Sequence, residues 1–454
     1  MTASQTDVLA LSARPPTPTT ARLGVVLRGG LALAILAAFV SQSFYDHAAD
    51  FKSFFSAGYA VRHPEIPLYD LVQLDENPFG EVFKLAPPAA VYFVPFSYGA
   101  IQQARLVWRV VLVCATVLAF ALVARMLGLR TLGWLWLLGL GLWCAFGPLQ
   151  IAIGEGQWDP IFLLALAIAT VTIASGSSTA AALAIAFAAS IKPYPLVLIG
   201  QFVARRAWRP LALTFAALTA LMLVGSAIVG LDEALAFATR VLPSSGGTTA
   251  YADNQSLGGV LARAWSNDLK PFPLKDAAPV DLAIRLTALA FFAVTVWLVG
   301  RQPATDPFAR ALQLSLFVPV SILVIPAAWT HYQAILLIPL TLLAVDQGRR
   351  RPREPLGWLL LAATYAVLML PNPTMLYGPE IDRGLWLRSR ADGANLALQR
   401  LYPTGISRLV LSYKAFAVLL LYGLLAWRVS RPSSRPLVDA TPTTAAQVTA
   451  GARP

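Results

Sequence analysis

The sequence has 454 residues, of which 57% are hydrophobic and only 13% are charged. Soluble globular proteins carry about 25% charged residues, so this composition excludes an ordinary soluble protein and indicates an all-α polytopic integral membrane protein. The net charge of +12 does not indicate a nucleic-acid partner, because the basic residues lie in short clusters between apolar runs, the pattern typical of cytoplasmic loops.

The two ends of the chain differ from its middle. Residues 1–23 and 430–454 are rich in Pro, Thr and Ala and are predicted to be a disordered cytoplasmic N-terminus and a disordered cytoplasmic tail. The apolar run at 24–44 is longer than the hydrophobic part of a cleaved signal peptide, so it predicts an uncleaved signal anchor. Residues 24–429 are predicted to form a single transmembrane domain.

Apolar runs recur along this domain and predict about twelve membrane-spanning segments, with a range of about 10 to 13. They lie at about 24–44, 105–125, 131–146, 160–175, 179–191, 194–204, 210–230, 281–300, 310–328, 331–346, 355–371 and 409–428.

Two of these runs are short for a full crossing and flank Lys192-Pro193. The chain either turns there or continues as one long broken helix. A broken helix would put the basic cluster 205–209 on the opposite side of the membrane from the cluster 125–130, so the positive-inside rule favours the turn.

The resulting topology gives the outer face three long loops, 45–104, 231–280 and 372–408. The last loop has five arginines and only three acidic residues. Its arginines are Arg383, Arg388, Arg390, Arg400 and Arg408. Either the topology is wrong there or these arginines meet an anionic partner.

The outer face also collects polar side chains from distant parts of the sequence, where loops between rigid helices usually carry function. These are His47, Asp50, His63, Tyr69, Asp70, Glu155, Gln157, Asp159, Lys192, Asn254, Gln255 and His331. The alternative for each is an ordinary solvated loop residue.

Asp50 lies among Phe51, Phe54 and Phe55, whose spacing with Gly58 predicts a short amphipathic helix in the membrane interface. A poorly solvated carboxylate has a raised pKa, which suits a general base. The alternative is an acid that caps this helix.

Lys192 and His331 are the candidate phosphate ligands. Lys192 either neutralises a phosphate or reaches toward lipid phosphate from a membrane helix. His331 either donates to a phosphate oxygen or is an ordinary interfacial aromatic residue.

Motifs for a metal or a nucleotide are absent from the sequence. Cys114 and Cys144 lie in apolar runs and are predicted to be buried, and two cysteines exclude a disulfide framework. Glu155 and Asp159 are four residues apart, but Pro160 predicts a loop rather than a helical pair of ligands. We therefore expect no metal and no cofactor.

The order of several short motifs resembles glycosyltransferase family 87, and is similar to its polyprenyl-phosphate-mannose-dependent α-1,2-mannosyltransferases. The resemblance covers about residues 25–430. The motifs are Asp50-Phe51, Ala57-Gly58, Pro67-Leu68-Tyr69-Asp70, Phe83 to Ala90, Gly156-Gln157, Ile191 to Pro195, Asn254 to Leu257, and Trp329 to Tyr332. The sequence departs from the family pattern at Leu85-Ala86-Pro87-Pro88 and at Trp158-Asp159.

The resemblance implies a GT-C-type fold, with the active site on the outer face of a bacterial plasma membrane, toward the periplasm or the cell exterior. Asp50 would be the catalytic base for transfer of a hexose from a polyprenyl-phosphate donor to a glycolipid or glycan acceptor. Gln157, Asn254 and Gln255 would bind sugar hydroxyls, and Tyr69 would stack on a sugar ring or line the groove for the lipid chain. The donor sugar is expected to be mannose, with inversion at the anomeric carbon.

Three alternatives stay open at this point. A lipid-linked-sugar transporter or flippase is one, although the sequence shows no convincing inverted repeat. A GT-C enzyme that uses another donor sugar, such as a pentose, is the second. A membrane scaffold without catalysis is the third.

Overall fold

A computed structural model describes residues 18–44, 49–69, 83–245, 247–266, 269, 278–304, 306–350, 354–377 and 398–431. Across these residues the regular secondary structure is helical, without strands. The predictions for His47, Asp70 and the arginines at 383, 388 and 390 lie outside the described residues, as do most of those for the two chain ends.

The α-helices follow one another through the described residues. They are α1 (Pro18–Ser43), α2 (Ala49–Arg62), α3 (Pro87–Phe93), α4 (Ile101–Met126), α5 (Trp134–Ala145), α6 (Gly147–Gly154), α7 (Asp159–Ala174), α8 (Thr179–Ala189), α9 (Gly200–Ala204), α10 (Trp208–Val229), α11 (Leu231–Ala236), α12 (Leu242–Ser245), α13 (Leu257–Trp265), α14 (Ala278–Arg301), α15 (Pro307–Leu323), α16 (Leu337–Arg350), α17 (Pro355–Met369), α18 (Pro373–Tyr377) and α19 (Tyr413–Ser430). Short 3-10 helices lie at Val94–Tyr98, Tyr194–Ile199, Thr330–Leu336 and Ser407–Ser412, and a π-helical turn lies at Phe237–Val241.

In the described part of the chain, five helical stretches are long and apolar enough to cross a membrane. They are Gly24–Ser43, Ile101–Met126, Trp208–Val229, Pro279–Arg301 and Ser407–Ser430. Helices α5 and α6 meet at a 55° bend and make a sixth if they are counted as one span. The all-helical character and the membrane-length helices are therefore confirmed, whereas about twelve crossings and their sidedness stay predictions.

The core forms where α7 packs against α4, α8 and α15, and where α15 packs against α19. Helices α1, α10 and α14 lie at the edge of this core and leave large apolar side chains exposed, among them Val26 (69%), Leu223 (65%) and Leu289 (64%). Exposed apolar surface of this extent is what contact with lipid chains requires.

Helix α2 is the short helix expected around Asp50. Its residues Phe51, Phe54 and Phe55 are buried against α3 and neighbouring elements. A Cβ atom on Gly58 would lie 2.5 Å from the carbonyl oxygen of Phe93, so only glycine permits this close approach of α2 and α3. The apolar face of α2 therefore packs inside the protein, and its position relative to a membrane stays a prediction.

Regular helix is interrupted at Lys192-Pro193, which both the turn and the broken helix require, so the turn stays a prediction. Helix α8 ends at Ala189, and the 3-10 helix that begins at Tyr194 packs against α8. A proline cannot donate a backbone hydrogen bond, which fits a break at this position.

One cysteine differs from expectation. Cys144 is buried, but Cys114 is exposed on α4, because an apolar run that faces lipid does not bury every small residue. Arg408 is buried, and it donates to the carbonyl oxygens of Ser266, Tyr402 and Pro403. Arg408 thus contacts backbone carbonyls, and an anionic partner for the arginines of this loop stays a prediction.

Candidate functional site

The site is built around the segment between α6 and α7, residues 155–158. Gly156 has φ +75°, and a Cβ atom there would lie 2.7 Å from the Cβ atom of Phe51. The carbonyl oxygen of Glu155 accepts from the backbone N–H of Phe51 over 3.1 Å. Glycine therefore lets this segment lie directly against the first turn of α2.

Helix α4 holds the same segment from the other side. Trp108 donates its Nε1–H to the carbonyl oxygen of Gly156 over 2.7 Å. Arg109 is buried and donates to the carbonyl oxygen of Gly154 over 2.8 Å and to that of Phe44 over 3.1 Å. A guanidinium inside a membrane-length helix thereby finds its partners in backbone carbonyls of the segment that carries the site.

Asp50, Gln157 and Lys192 form one hydrogen-bonded chain. Gln157 donates its Nε2–H to Oδ2 of Asp50 over 2.5 Å, and Lys192 donates its Nζ–H to Oε1 of Gln157 over 2.8 Å. Gln157 and Lys192 are buried, while Asp50 is partly exposed. Three residues that are about 35 to 140 positions apart in sequence are therefore in contact, as the sequence analysis expected of outer-face polar groups.

A buried carboxylate and two tyrosines surround Lys192. Its Nζ atom lies 3.7 Å from Oδ2 of Asp159 and 4.4 Å from the centroid of the Tyr332 ring. Tyr194 donates its hydroxyl to Oδ1 of Asp159 over 2.8 Å and stacks on Tyr332. Burial opposes the charge on Lys192, but Asp159, Tyr332 and Asp50 outweigh it, so the pKa of Lys192 is raised and the ammonium group stays charged.

His331 lies between Glu155 of this segment and Asp159, the first residue of α7. Its Nδ1 atom is 3.1 Å from Oε2 of Glu155, and its Nε2 atom is 3.9 Å from Oδ2 of Asp159. Burial lowers the pKa of His331 to about 4, and Lys192 adds to the lowering although Asp159 and Asp50 act against it. The imidazole is therefore neutral at pH 7.

The environment of Asp50 favours a basic carboxylate. Burial raises its pKa, and the nearby charge of Glu155 raises it further. His331, the hydrogen bond from Gln157 and the charge of Lys192 act in the opposite direction without cancelling the rise. Asp50 lies in the first turn of α2 and is linked through Gln157 to Lys192. A carboxylate with a raised pKa can accept a proton from a hydroxyl group.

Asn254 and Gln255 form a separate network. The Asn254 amide donates to the carbonyl oxygens of Thr249 and Pro326, and its Oδ1 atom accepts from Ser256 and from the backbone of Ala328. Each of its polar atoms is thus already paired inside the protein. The hydrogen bonds of Asn254 join three parts of the backbone. The role of Asn254 and Gln255 as sugar ligands stays a prediction.

Gln255 is paired in the same way. It donates to the carbonyl oxygens of Ala252 and Leu411, and its Oε1 atom accepts from the backbone N–H of Ala415. Tyr69 lies in yet another cluster, because it donates to the carbonyl oxygen of Leu85 and stacks on Phe83 and Phe237.

The structure thus brings four of the seven predicted site residues together, namely Asp50, Gln157, Lys192 and His331. It adds groups to which sequence reasoning gave no role in the site, namely Glu155, Asp159, Tyr194, Tyr332 and Arg109. Arg109 carried a usable signal, a charge inside an apolar run. Among the described residues, no group of three or more His, Cys, Asp or Glu side chains is arranged to hold a metal ion.

Comparison with known proteins gives two matches. The sequence profile of glycosyltransferase family 87 matches residues 86–326, which include Gln157, Lys192, Asn254 and Gln255, with Asp50 and His331 beyond its two ends. A relative from Mycobacterium tuberculosis (strain CDC 1551 / Oshkosh), the polyprenol-phosphate-mannose-dependent alpha-(1-2)-phosphatidylinositol pentamannoside mannosyltransferase, is 27% identical over 324 residues, which is 69% of this chain and 70% of the relative.

Proposed function

Because the chain belongs to glycosyltransferase family 87, we propose that it transfers a hexose from a polyprenyl-phosphate donor to a hydroxyl group of a glycolipid or glycan. The relative is named for polyprenol-phosphate-mannose and for a phosphatidylinositol mannoside. That name supports mannose as the donor sugar and a glycolipid as the acceptor. Membrane lipids surround the protein in this proposal, and no metal or other cofactor takes part.

The observation that carries the proposal is the chain of contacts from Asp50 through Gln157 to Lys192. It places a carboxylate with a raised pKa and a buried ammonium group on the two ends of one amide. Glycosyl transfer from a phosphate needs a base for the acceptor and a positive group for the departing phosphate. Both are present here within a single network.

The reaction then runs as a single displacement. The acceptor oxygen attacks the anomeric carbon while its proton passes to Asp50. The bond between the anomeric carbon and the phosphate oxygen breaks, and its electron pair leaves with the polyprenyl phosphate. Attack and departure occur on opposite faces of the sugar, so the configuration inverts, and one base suffices. Lys192 and His331 stabilise the charge on the departing phosphate.

The membrane arrangement belongs to the same proposal. Residues 24–429 form one GT-C-type domain with about twelve crossings, and the site faces the periplasm or cell exterior of a bacterial plasma membrane. Segments 155–158 and 330–336, together with α2, then lie at the outer boundary of the membrane. A sugar head group reaches this level from the aqueous side while its isoprenoid chain stays in lipid.

The test is sugar transfer by the purified full-length protein in nanodiscs, with polyprenyl-phosphate-mannose and a panel of glycolipid acceptors, with and without EDTA. We expect transfer that survives EDTA and falls about 100-fold or more in Asp50→Asn. The matched control is Asp232→Asn, an exposed aspartate that also lies in the first turn of a helix, and it should transfer normally. Equal transfer by the two variants would remove Asp50 as the base. No transfer from any donor would favour a transporter or flippase.

A further inference from the structure

Glu155 and Asp159 contact His331, and the proposed reaction gives neither of them a role. Glu155 lies at Nδ1 of the imidazole and Asp159 lies toward Nε2. Only the first of these distances is within hydrogen-bonding range, because 3.1 Å is short enough and 3.9 Å is too long. In the described part of the chain, the buried Nε2 atom of His331 and the Oδ2 atom of Asp159 have no hydrogen-bond partner.

The contact with Glu155 determines which ring nitrogen carries the proton. An ionised carboxylate only accepts hydrogen bonds, so a hydrogen bond at this contact requires Nδ1 to be the donor. In the neutral ring, Nε2 then has a bare lone pair and cannot donate to a phosphate oxygen. It becomes a donor only after the ring has taken up a second proton.

The charges that face His331 come from several elements. They are Glu155 from the segment after α6, Asp159 from α7, Lys192 from the segment after α8, Asp50 from α2, and the neighbouring Tyr332 on the same 3-10 helix. Burial lowers the pKa of His331 to about 4, despite the nearby carboxylates. An additional anion at Nε2 would favour the charged ring.

We propose that Glu155 is a positioning residue, which holds His331 with Nδ1 protonated and so makes Nε2 the atom that meets the donor phosphate, and that donor binding brings one proton from solvent onto Nε2. The inference rests on the proposed function for the identity of the anion. The tautomer of His331 before donor binding does not depend on the proposed function. A carboxylate that bonds one ring nitrogen often fixes the tautomer of a functional histidine in this way.

The first experiment reads the tautomer directly. The chain has only three histidines, at positions 47, 63 and 331. Solid-state NMR of the full-length protein, labelled with 15N-histidine in lipid nanodiscs, separates protonated from bare ring nitrogens, and His331→Gln identifies the signals of His331. We expect the Nδ1–H form near pH 7. An Nε2–H form in the wild-type protein would overturn the proposal.

Three variants test the role of Glu155. Glu155→Leu removes the acceptor and should give a mixture of tautomers, whereas Glu155→Gln keeps an acceptor oxygen and should preserve the Nδ1–H form. The matched control is Glu65→Leu, because Glu65 makes an exposed pair with Nδ1 of His63 over 3.2 Å. It should leave the His331 signals unchanged. Unchanged His331 signals in Glu155→Leu would also overturn the assignment.

The second experiment measures proton uptake. Calorimetric titration of the protein with a short-chain polyprenyl-phosphate-mannose, in two buffers with different heats of ionisation, gives the protons bound per donor. We expect about one proton at pH 6 for the wild-type protein, and none for His331→Gln. Donor binding without proton uptake would overturn the proposed protonation of His331 on donor binding but leave the proposed function intact. Failure to bind any donor would overturn the proposed function, and the NMR result would still decide the role of Glu155.

Discussion

Gln157 donates a 2.5 Å hydrogen bond to the Oδ2 atom of Asp50, and the other end of the same amide accepts from Lys192. The amide therefore holds the proposed base and the proposed phosphate ligand at a fixed separation. It also stabilises the ionised form of Asp50, because the bond is made to the charged carboxylate. Gln157 acts on both groups at once, which makes its replacement informative.

We expect Gln157→Leu to reduce transfer by about 10- to 100-fold, the usual effect of losing a hydrogen bond to a charged group. Without this bond the pKa of Asp50 rises further, so the acidic limb of the kcat/KM profile should move to higher pH. The measurement is the pH profile of mannose transfer between pH 5 and 9.

The control for that variant is Gln150→Leu. Gln150 lies on the neighbouring helix α6, and its amide bonds Gln42 and the carbonyl oxygen of Cys144 instead of site residues. The acidic limb of the kcat/KM profile of Gln150→Leu should match that of the wild-type protein. An unshifted acidic limb in Gln157→Leu would show that the hydrogen bond to Asp50 does not tune the base.

Asp50 should reduce stability at neutral pH while it supports transfer. Its folded-state pKa is raised above that of the unfolded chain, so between the two values the unfolded state binds fewer protons. The contribution of this carboxyl to the free energy of unfolding therefore falls as the pH rises through that window. Above it, Asp50→Asn should melt about 1–4 °C higher than the wild-type protein although transfer is lost.

The difference in melting temperature between Asp50→Asn and wild type should shrink below the window, where both side chains are neutral. Thermal unfolding in nanodiscs from pH 4 to pH 8 measures this, with Asp232→Asn as the variant that should show no such trend. A lower melting temperature for Asp50→Asn at every pH would mean that the charge itself stabilises the fold.

The sequence carried enough information to bring Asp50, Gln157, Lys192 and His331 to one place. Each lies at or near the end of an apolar run, and charge patterning assigns those ends to one face of the membrane. The spacing of Phe51, Phe54 and Phe55 predicted α2, and both alternatives for Lys192-Pro193 predicted an interruption of the helix there. Sequence reasoning could not give Glu155 and Asp159 their partners, because those depend on how the segment between α6 and α7 folds.

Asn254 illustrates a second limit of the sequence. The family resemblance implied that Asn254 binds sugar hydroxyls. Here it is fully buried, and its partners are backbone groups from Thr249, Pro326 and Ala328. No sequence pattern distinguishes an amide that is used internally from one that is free, since both occur in loops.

Asn254→Ala should lower the melting temperature, because it leaves several buried backbone groups without partners at about 1–3 kcal/mol each. The KM for donor and acceptor in the folded fraction then separates two roles. An unchanged KM would make Asn254 a residue that holds the loop together, and a raised KM with a normal melting temperature would support the predicted sugar contact. Ser244→Ala is a suitable control, because its hydroxyl makes a single local bond to the carbonyl oxygen of Val241.

Gly156 should be the least replaceable glycine of the site. Gly156→Ala meets two costs, the left-handed backbone at φ +75° and a contact of 2.7 Å between the new Cβ atom and Phe51. Gly176→Ala meets only the first, because Gly176 has φ +87° and no atom within 4 Å of the new Cβ position. Strain alone costs about 1–2 kcal/mol, so both variants should melt lower than the wild-type protein.

Only Gly156→Ala should also lose transfer, by about 100-fold, because relief of the contact must move the segment that carries Glu155 and Gln157 away from α2. Melting temperatures and kcat/KM of the two variants, measured in the same nanodiscs, make the comparison. Equal losses of transfer in both would mean that general destabilisation is sufficient to explain the defect. A loss confined to Gly156→Ala would show that transfer depends on the close approach of this segment to Asp50.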